Sequence, residues 1–88
     1  MTTTPEILEI LKEYIRDEFG FYDDIDPDTD LLDARILDSF SIVQIAVFIQ
    51  NRFGLELEAE DIVRANLAKL SSMIQLVEKH QAKAAQEN

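Results

Sequence analysis

The sequence predicts an all-α bundle of three longer helices and one short helix, with a long loop between the first two helices. Three segments repeat apolar residues at helical spacing, whereas the alternation typical of a strand occurs only at residues 55–57. The chain has 88 residues, 47% of them hydrophobic and 30% charged, which suits one small globular domain. We therefore expect a single domain over residues 1–88, ordered from about residue 5 to residue 84 and frayed at its ends.

The first helix is predicted from about Pro5 to Phe19. Thr4 can cap its start, proline suits the first helical position, and Gly20 stands where glycine commonly ends a helix. Its apolar residues recur at helical spacing and predict one buried stripe of Ile7, Leu8, Leu11, Tyr14 or Ile15, and Phe19.

The loop over residues 21–38 fits neither the helical nor the strand period. Pro27 and a series of aspartates indicate turns, while four apolar residues need burial: Leu31, Leu32, Ile36 and Leu37. A connection of this length is unusual between two helices, and such loops are often functional. We expect this loop to pack across the helices.

The second helix should begin at Asp38 or Ser39 and stop at Gly54, because aspartate, serine and glycine favour those helix ends. One of its stripes can face a core and comprises Ile42, Ile45, Ala46, Ile49 and Phe53. A second apolar set falls on nearly the opposite side and comprises Phe40, Val43 and Val47. Either the loop leucines cover this second set, or a partner protein docks on it, and the sequence leaves both open.

The remainder of the chain predicts a short and a long helix. Residues 55–57 should be an extended linker, because a single strand would have no partner. A short helix is expected from Glu58 to Arg64, with Ile62 and Val63 inward. Ser71 or Ser72 can cap a last helix from about Ser72 to Ala84, with Met73, Ile74, Val77 and also Leu76 inward.

The charge of the chain is large and uneven. Its formal net charge is −10, from 18 acidic and 8 basic residues, which disfavours nucleic acid and anionic lipid and favours basic protein surfaces. Residues 20–38 hold seven aspartates and one arginine, whereas residues 39–54 hold no acid and one base, Arg52. The boundary between these segments is where we expect the functional site.

Composition excludes several other classes of protein. The chain has no cysteine and therefore no disulfide, thiolate metal site or cysteine nucleophile. It shows no signal-peptide pattern, and no apolar stretch approaches the roughly 20 residues that span a bilayer. We expect a monomeric cytoplasmic protein that neither binds nucleic acid nor inserts into membranes.

The four residues Leu37-Asp38-Ser39-Phe40, at the head of a helix after an acidic loop, resemble the phosphopantetheine attachment motif of acyl carrier proteins, which is usually Asp-Ser-Leu. The similarity runs from about residue 7 to residue 77 and includes Phe53-Gly54, Leu55-Glu56-Leu57, Asp61-Ile62 and residues 70–77. It implies an acyl-carrier-like four-helix bundle with 4'-phosphopantetheine, derived from coenzyme A, on Ser39. It also implies that Asp38 helps the modifying transferase and its Mg²⁺ to engage the site.

The placement of Ser39 also has a physical reason. A serine in the first turn presents its hydroxyl outward, and a phosphodiester formed there lies beside unpaired N–H groups and the positive end of the helix. Asp38 can cap the helix through its carboxylate. Asp-Ser alone is ordinary capping chemistry, so the similarity along the chain is what favours attachment, and the two roles are compatible. The arm brings a thiol to a chain that has no cysteine.

Two departures from the family pattern concern partners. Carriers of the fatty-acid type usually have several glutamates on the second helix, whereas this chain has Ser41, Gln44, Gln50, Asn51 and Arg52. Apolar docking through Phe40, Val43 and Val47 is therefore favoured over charge-steered docking. Phe40 and residues 51–53 are similar to D-alanyl carrier proteins, and residues after 54 to ordinary acyl carriers, which indicates a specialised free-standing carrier.

The resemblance implies a carrier without catalytic activity that holds an acyl or aminoacyl group as a thioester for fatty-acid, polyketide or related specialised biosynthesis. The implied partners are a phosphopantetheinyl transferase, an acyl- or aminoacyl-loading ligase, and downstream synthases or transferases. Two alternatives come from other classes: an unmodified helical interaction domain that uses the second helix, and a divalent-ion-responsive helix–loop–helix protein.

The signals for other chemistry are weak. Asp26, Asp28 and Asp30 resemble the start of an EF-hand loop, but its sixth position is Leu31 rather than glycine and its twelfth is Leu37 rather than glutamate. We expect no dedicated metal site, although so acidic a loop can bind divalent ions weakly. His80, the only histidine, lies in a polar segment and is expected at the surface, with no nucleophile to activate.

Overall fold

The computed structural model is all-α over the part of the chain that it describes, which is residues 2–86 for the backbone and 2–83 for side chains. Its helices are α1 (Thr4–Phe19), α2 (Ser39–Phe53), α3 (Arg64–Leu67) and α4 (Leu70–Gln86), with one 3₁₀ turn at Ala59–Asp61. The predicted class, three longer helices and one short helix with a long first loop, is confirmed. None of the helices within the described residues has the length and hydropathy needed to cross a bilayer.

The first helix has the predicted end but not the predicted cap. Gly20 adopts a left-handed conformation (φ 69°), and its N–H donates to the carbonyl of Arg16 at 3.0 Å. The N-cap is Thr3 rather than Thr4, and it makes no side-chain capping bond. The Thr4 hydroxyl instead donates to the Glu78 carboxylate on α4, so the predicted cap is wrong and this side chain joins two helices.

The core draws on every helix and on the first loop. Tyr14 is half-buried and stacks on Phe48, so of the two candidates it is Ile15 that belongs to the inner stripe. The core residues are Ile7, Leu11 and Ile15 from α1; Ile25, Leu31 and Leu37 from the loop; Ile42, Ile45, Ala46 and Ile49 from α2; and Leu67, Leu70, Met73, Ile74, Leu76 and Val77 from α3 and α4. The inward stripes predicted for the three longer helices are confirmed, with Leu8, Phe19 and Phe53 at their margins.

The long loop packs across the bundle, as predicted. The Leu31 N–H donates to the carbonyl of Ala68 at 2.7 Å, and the Ser71 N–H donates to the carbonyl of Pro27 at 2.9 Å. These two bonds hold the loop against the junction of α3 and α4. Leu31 and Leu37 are buried, so the loop contributes to the core as well as covering it.

The predicted short helix over Glu58–Arg64 is wrong. The chain forms a single 3₁₀ turn, passes through Ile62 and Val63 in non-helical conformations, and begins α3 only at Arg64. The physical reason is local, because the Asp61 carboxylate accepts the Glu58 N–H at 2.9 Å and closes the turn, and the β-branched pair that follows disfavours helix. Ile62 is half-buried and packs against the core, as expected, whereas Val63 is exposed and does not face inward.

The last helix begins earlier than predicted. It starts at Leu70, so Ser71 and Ser72 lie in its first turn and are not caps. The Pro27 carbonyl accepts the Ser71 N–H, which replaces the capping side chain that the sequence suggested. The backbone stays helical through Gln86, beyond the predicted end at Ala84. Fraying was also expected at Met1 and at residues 87–88, which lie outside the described residues.

Candidate functional site

The start of α2 is built by a reciprocal capping box. Asp38 is extended (φ −122°, ψ −178°), and its Oδ1 accepts the Ser41 N–H at 2.9 Å and the Ser41 hydroxyl at 3.0 Å. In return the Ser41 Oγ lies 3.4 Å from the Asp38 N–H, which donates to it. Both hydrogen bonds of the capping box are formed, and together they fix the first residue of α2 at Ser39.

The two serines of this first turn have different environments. Ser41 is buried and its hydroxyl belongs to the capping box. Ser39 is exposed, and no other described residue forms a hydrogen bond with its hydroxyl. Only the Ser39 hydroxyl is therefore open to an enzyme approaching the head of the helix.

Two charges act at the start of α2, the positive end of the helix dipole and the ionised carboxylate of Asp38. Donation from the Ser41 backbone N–H, and then from the Ser41 hydroxyl, holds the pKa of Asp38 below its usual range. The first turn of α2 contains no acidic residue after the cap, so the ionised Asp38 is the one carboxylate of this helix next to a negative group on Ser39, and the positive end of the helix dipole acts against its repulsion.

A cleft of about 540 Å³ opens beside Ser39, among the end of α1, the turn at residues 32–37 and the start of α3. Its apolar lining includes Phe19, Leu32 and Ile36, and its cationic lining consists of Arg35 and Arg64. The cleft is shallow and largely open to solvent, and its lining combines apolar walls with a few polar groups.

The acidic residues of the loop hold its turns together. Asp30 Oδ1 accepts the N–H groups of Leu32 and Asp33, both at 3.0 Å, and these donors, that of Asp33 foremost, help to keep the pKa of Asp30 low. The Arg64 guanidinium donates to Asp30 at 3.2 Å and to Asp33 at 2.6 Å, which ties α3 to the loop. No set of three potential metal-ligating side chains comes together in the described part of the chain.

The second apolar face of α2 is not covered. Phe40, Val43 and Val47 are 71%, 50% and 48% exposed, respectively. The loop leucines pack into the core instead, with Leu31 and Leu37 buried, so the first of the two interpretations left open by the sequence is wrong. An exposed apolar stripe therefore starts one residue after Ser39 and runs along the helix.

His80 is not at the surface, contrary to the sequence-based expectation. Its side chain is 11% exposed, and its Nε2 lies 3.1 Å from Oδ2 of Asp61, which is itself 8% exposed. The histidine lies on α4 where that helix passes the 3₁₀ turn, so a polar stretch of sequence supplies a part-buried contact. The two residues are 19 apart, and no local sequence pattern marks their pairing.

Comparison with known families agrees with this geometry. Residues 9–77 match the family model described as the phosphopantetheine attachment site, and no curated protein sequence matches the chain. The match covers most of the chain, and the protein belongs to this family of phosphopantetheine-carrying proteins.

Membership defines the cofactor and the general role. Proteins of this family carry covalently attached 4'-phosphopantetheine, act as carriers without catalysis of their own, and interact with a modifying transferase and with biosynthetic enzymes. The residues at the head of α2 fit the group, because an exposed hydroxyl lies there at the positive end of a helix and beside a cleft that also holds Arg35 and Arg64.

Proposed function

We propose that Ser39 is the attachment point of 4'-phosphopantetheine, and that the protein carries an acyl or aminoacyl group as a thioester for fatty-acid, polyketide or related specialised biosynthesis. The observation that supports this assignment is the contrast between the exposed Ser39 hydroxyl and the buried, hydrogen-bonded Ser41 hydroxyl in the same helical turn. The group supplies a thiol on a mobile arm, whereas the protein supplies its position.

Each residue of the motif has a separate task in this proposal. The Ser39 oxygen loses its proton and bonds to the phosphorus of the phosphopantetheine part of coenzyme A, while the pyrophosphate bond breaks and adenosine 3',5'-bisphosphate leaves. The phosphodiester so formed lies next to the N–H groups and the positive dipole of the α2 start. Asp38 fixes that start through the capping box, and its ionised carboxylate helps the transferase and its Mg²⁺ to engage the serine.

The exposed stripe of Phe40, Val43 and Val47 serves in this proposal as the docking face for partner enzymes. It lies on the helix that bears the attachment serine and extends about 12 Å from it, at the helical rise of 1.5 Å per residue. Residues 39–54 contain no acid, so partners are recognised by apolar contact. A loading ligase or synthase that covers this stripe has the base of the arm at the edge of its contact area.

The first test compares the wild-type protein with Ser39→Ala. Each is incubated with coenzyme A, Mg²⁺ and a broad-specificity phosphopantetheinyl transferase, and its intact mass is recorded. The wild type should gain one phosphopantetheine and Ser39→Ala none, with an unchanged circular dichroism spectrum because side chain 39 is exposed. Loading of a folded Ser39→Ala protein would reject this serine.

A further inference from the structure

Arg35 has an unusual backbone conformation at the edge of the cleft. It is the one residue other than glycine with a positive φ (61°) in the described chain, a conformation that L side chains disfavour. Its N–H donates to the carbonyl of Leu32 at 3.1 Å, which closes the turn before the attachment motif. Disfavoured conformations of this kind are concentrated at functional sites.

Arg35 also differs from the other cation of the cleft. Arg64 is paired with Asp30 and Asp33, whereas no carboxylate within the described residues lies within 4.0 Å of the Arg35 guanidinium. Asp38, on the same cleft, is occupied by its capping box. Arg35 is thus the cation of this cleft whose charge is not already matched by a carboxylate.

The local charge balance makes this cation significant. Residues 20–38 hold seven aspartates, and Arg35 is their single base, four residues before Ser39. A phosphodiester on Ser39 adds one more negative charge to a chain of net charge −10. Arginine is suited to this position because its planar guanidinium can bind two phosphate oxygens at once.

We propose that the Arg35 guanidinium pairs with the phosphodiester formed on Ser39 and so fixes the base of the arm against the cleft. This proposal rests on the attachment of phosphopantetheine to Ser39. Arg35, whose backbone is left-handed, lines the same cleft as Ser39, Leu32 and Ile36. The thiol end of the arm stays mobile, because the pairing holds only the phosphate.

The test measures how attachment changes the thermal midpoint (Tm) in three proteins: wild type, Arg35→Gln and Arg52→Gln. Arg52→Gln is the matched control, since it removes the same charge about 20 Å further along α2, by the helical rise. The two variants therefore have the same net charge before the phosphate is added. Intact mass and fragment mapping confirm complete loading on Ser39 before each holo protein is compared with its apo form.

Attachment should raise the Tm of the wild type more, or lower it less, than that of Arg35→Gln. The difference should be about 1–5 °C, the size expected of an exposed ion pair in a domain this small. Arg52→Gln should behave as the wild type does. In about 1 M NaCl, where the Debye length falls to about 3 Å, the wild-type change should approach that of Arg35→Gln.

Two outcomes would overturn the pairing. One is an equal attachment effect in the wild type and in Arg35→Gln, and the other is a wild-type effect that does not respond to salt. The salt comparison uses the wild type alone, so an effect that does not respond to salt would overturn the pairing even if Arg35→Gln is loaded poorly. Absence of loading on Ser39 in the wild type would reject the proposed attachment itself, whereas normal loading with equal Tm changes would reject only Arg35.

Discussion

Ser39 and Ser41, at the head of α2, differ in exposure and in hydrogen bonding. Ser41 is buried and completes the capping box with Asp38, whereas Ser39 is exposed and has a free hydroxyl among the described contacts. Helix geometry causes the difference, because positions two apart on a helix point about 200° away from each other. In the proposed assignment, capping and attachment therefore involve different hydroxyls of the same turn.

The substitution Ser41→Ala should separate these two roles. It removes the hydroxyl bond to Asp38 and should lower the free energy of unfolding by about 0.5–1.5 kcal/mol, while Ser39 still accepts phosphopantetheine. Urea unfolding measures the first effect and intact mass after incubation with the transferase measures the second. If the folded Ser41→Ala protein could not be loaded, the assignment of separate roles would be wrong.

Local sequence was sufficient to predict the cap at Asp38 and the position of Ser39 in the first turn of α2, but not the conformation of Arg35 or the contact of His80. Capping preference and position within a turn depend on neighbouring residues, which the sequence displays. The left-handed conformation of Arg35 depends on how residues 31–37 pack, and the burial of His80 depends on its contact with Asp61, 19 residues away. Neither is encoded by a local pattern.

The helix α2 has two apolar faces, one buried in the core and the other exposed to solvent. Its inner face, with Ile45 and Ile49, is fully buried, while Phe40 and Val47 remain in contact with solvent. Helical periodicity separated the two faces correctly, but it could not show whether the loop covers the second one. Leu31 and Leu37 of the loop are buried in the core, where they gain more apolar contact than an outer face would offer.

The exposed face of α2 should be needed for transfer and not for folding. Phe40→Ala or Val47→Ala should slow loading by the phosphopantetheinyl transferase, the first of the proposed partners, by about tenfold or more at limiting carrier concentration, because central apolar anchors often contribute over 1 kcal/mol to an interface. Tyr22→Ala is the control, since Tyr22 is 74% exposed but lies outside α2. Loading rates equal to that of the wild type in both α2 variants would exclude this face as the docking surface.

The boundaries of α1 and α2 were predicted better than those of the C-terminal half. Gly20 and Gly54 end the first two helices in left-handed conformations, and such signals are readable in sequence. The start of α4 was predicted two residues late, because the acceptor for the Ser71 N–H is the distant Pro27 carbonyl. The short helix was misplaced because a carboxylate closes the 3₁₀ turn before α3.

Contacts between distant segments hold the bundle together around its long loop. Arg64 bridges to Asp30 and Asp33, while Asp61 joins the 3₁₀ turn to His80 and lies 4.0 Å from Lys79 on α4. The first set of contacts joins the loop to α3, and the second joins the 3₁₀ turn to α4. The contacts of Arg64 join the loop to the start of α3, and both segments line the cleft beside Ser39.

The contacts of Asp61 predict a stability difference that depends on pH. Its pKa is lowered, first by the Glu58 N–H and then by His80 and Lys79, despite the opposing effect of burial. The folded pKa lies below the unfolded value of about 3.9, so the ionised carboxylate stabilises the fold above that value, and this contribution is lost as pH falls through the folded pKa.

The substitution Asp61→Asn should therefore lower the free energy of unfolding by about 1–2 kcal/mol at pH 7, and the difference from wild type should shrink toward pH 3. Asparagine keeps the acceptor for the Glu58 N–H but loses the charge that faces His80 and Lys79. Urea unfolding of both proteins at several pH values measures the difference. A difference that stays constant from pH 7 to pH 3 would contradict this account of Asp61.

The most direct test of the whole account is to locate the modification in the wild-type protein. After incubation with coenzyme A, Mg²⁺ and the transferase, the protein is digested and the peptides are fragmented in a mass spectrometer. A single phosphopantetheine carried by Ser39 is the predicted result. A folded protein that gains no phosphopantetheine, or gains it on any residue other than Ser39, would contradict the account.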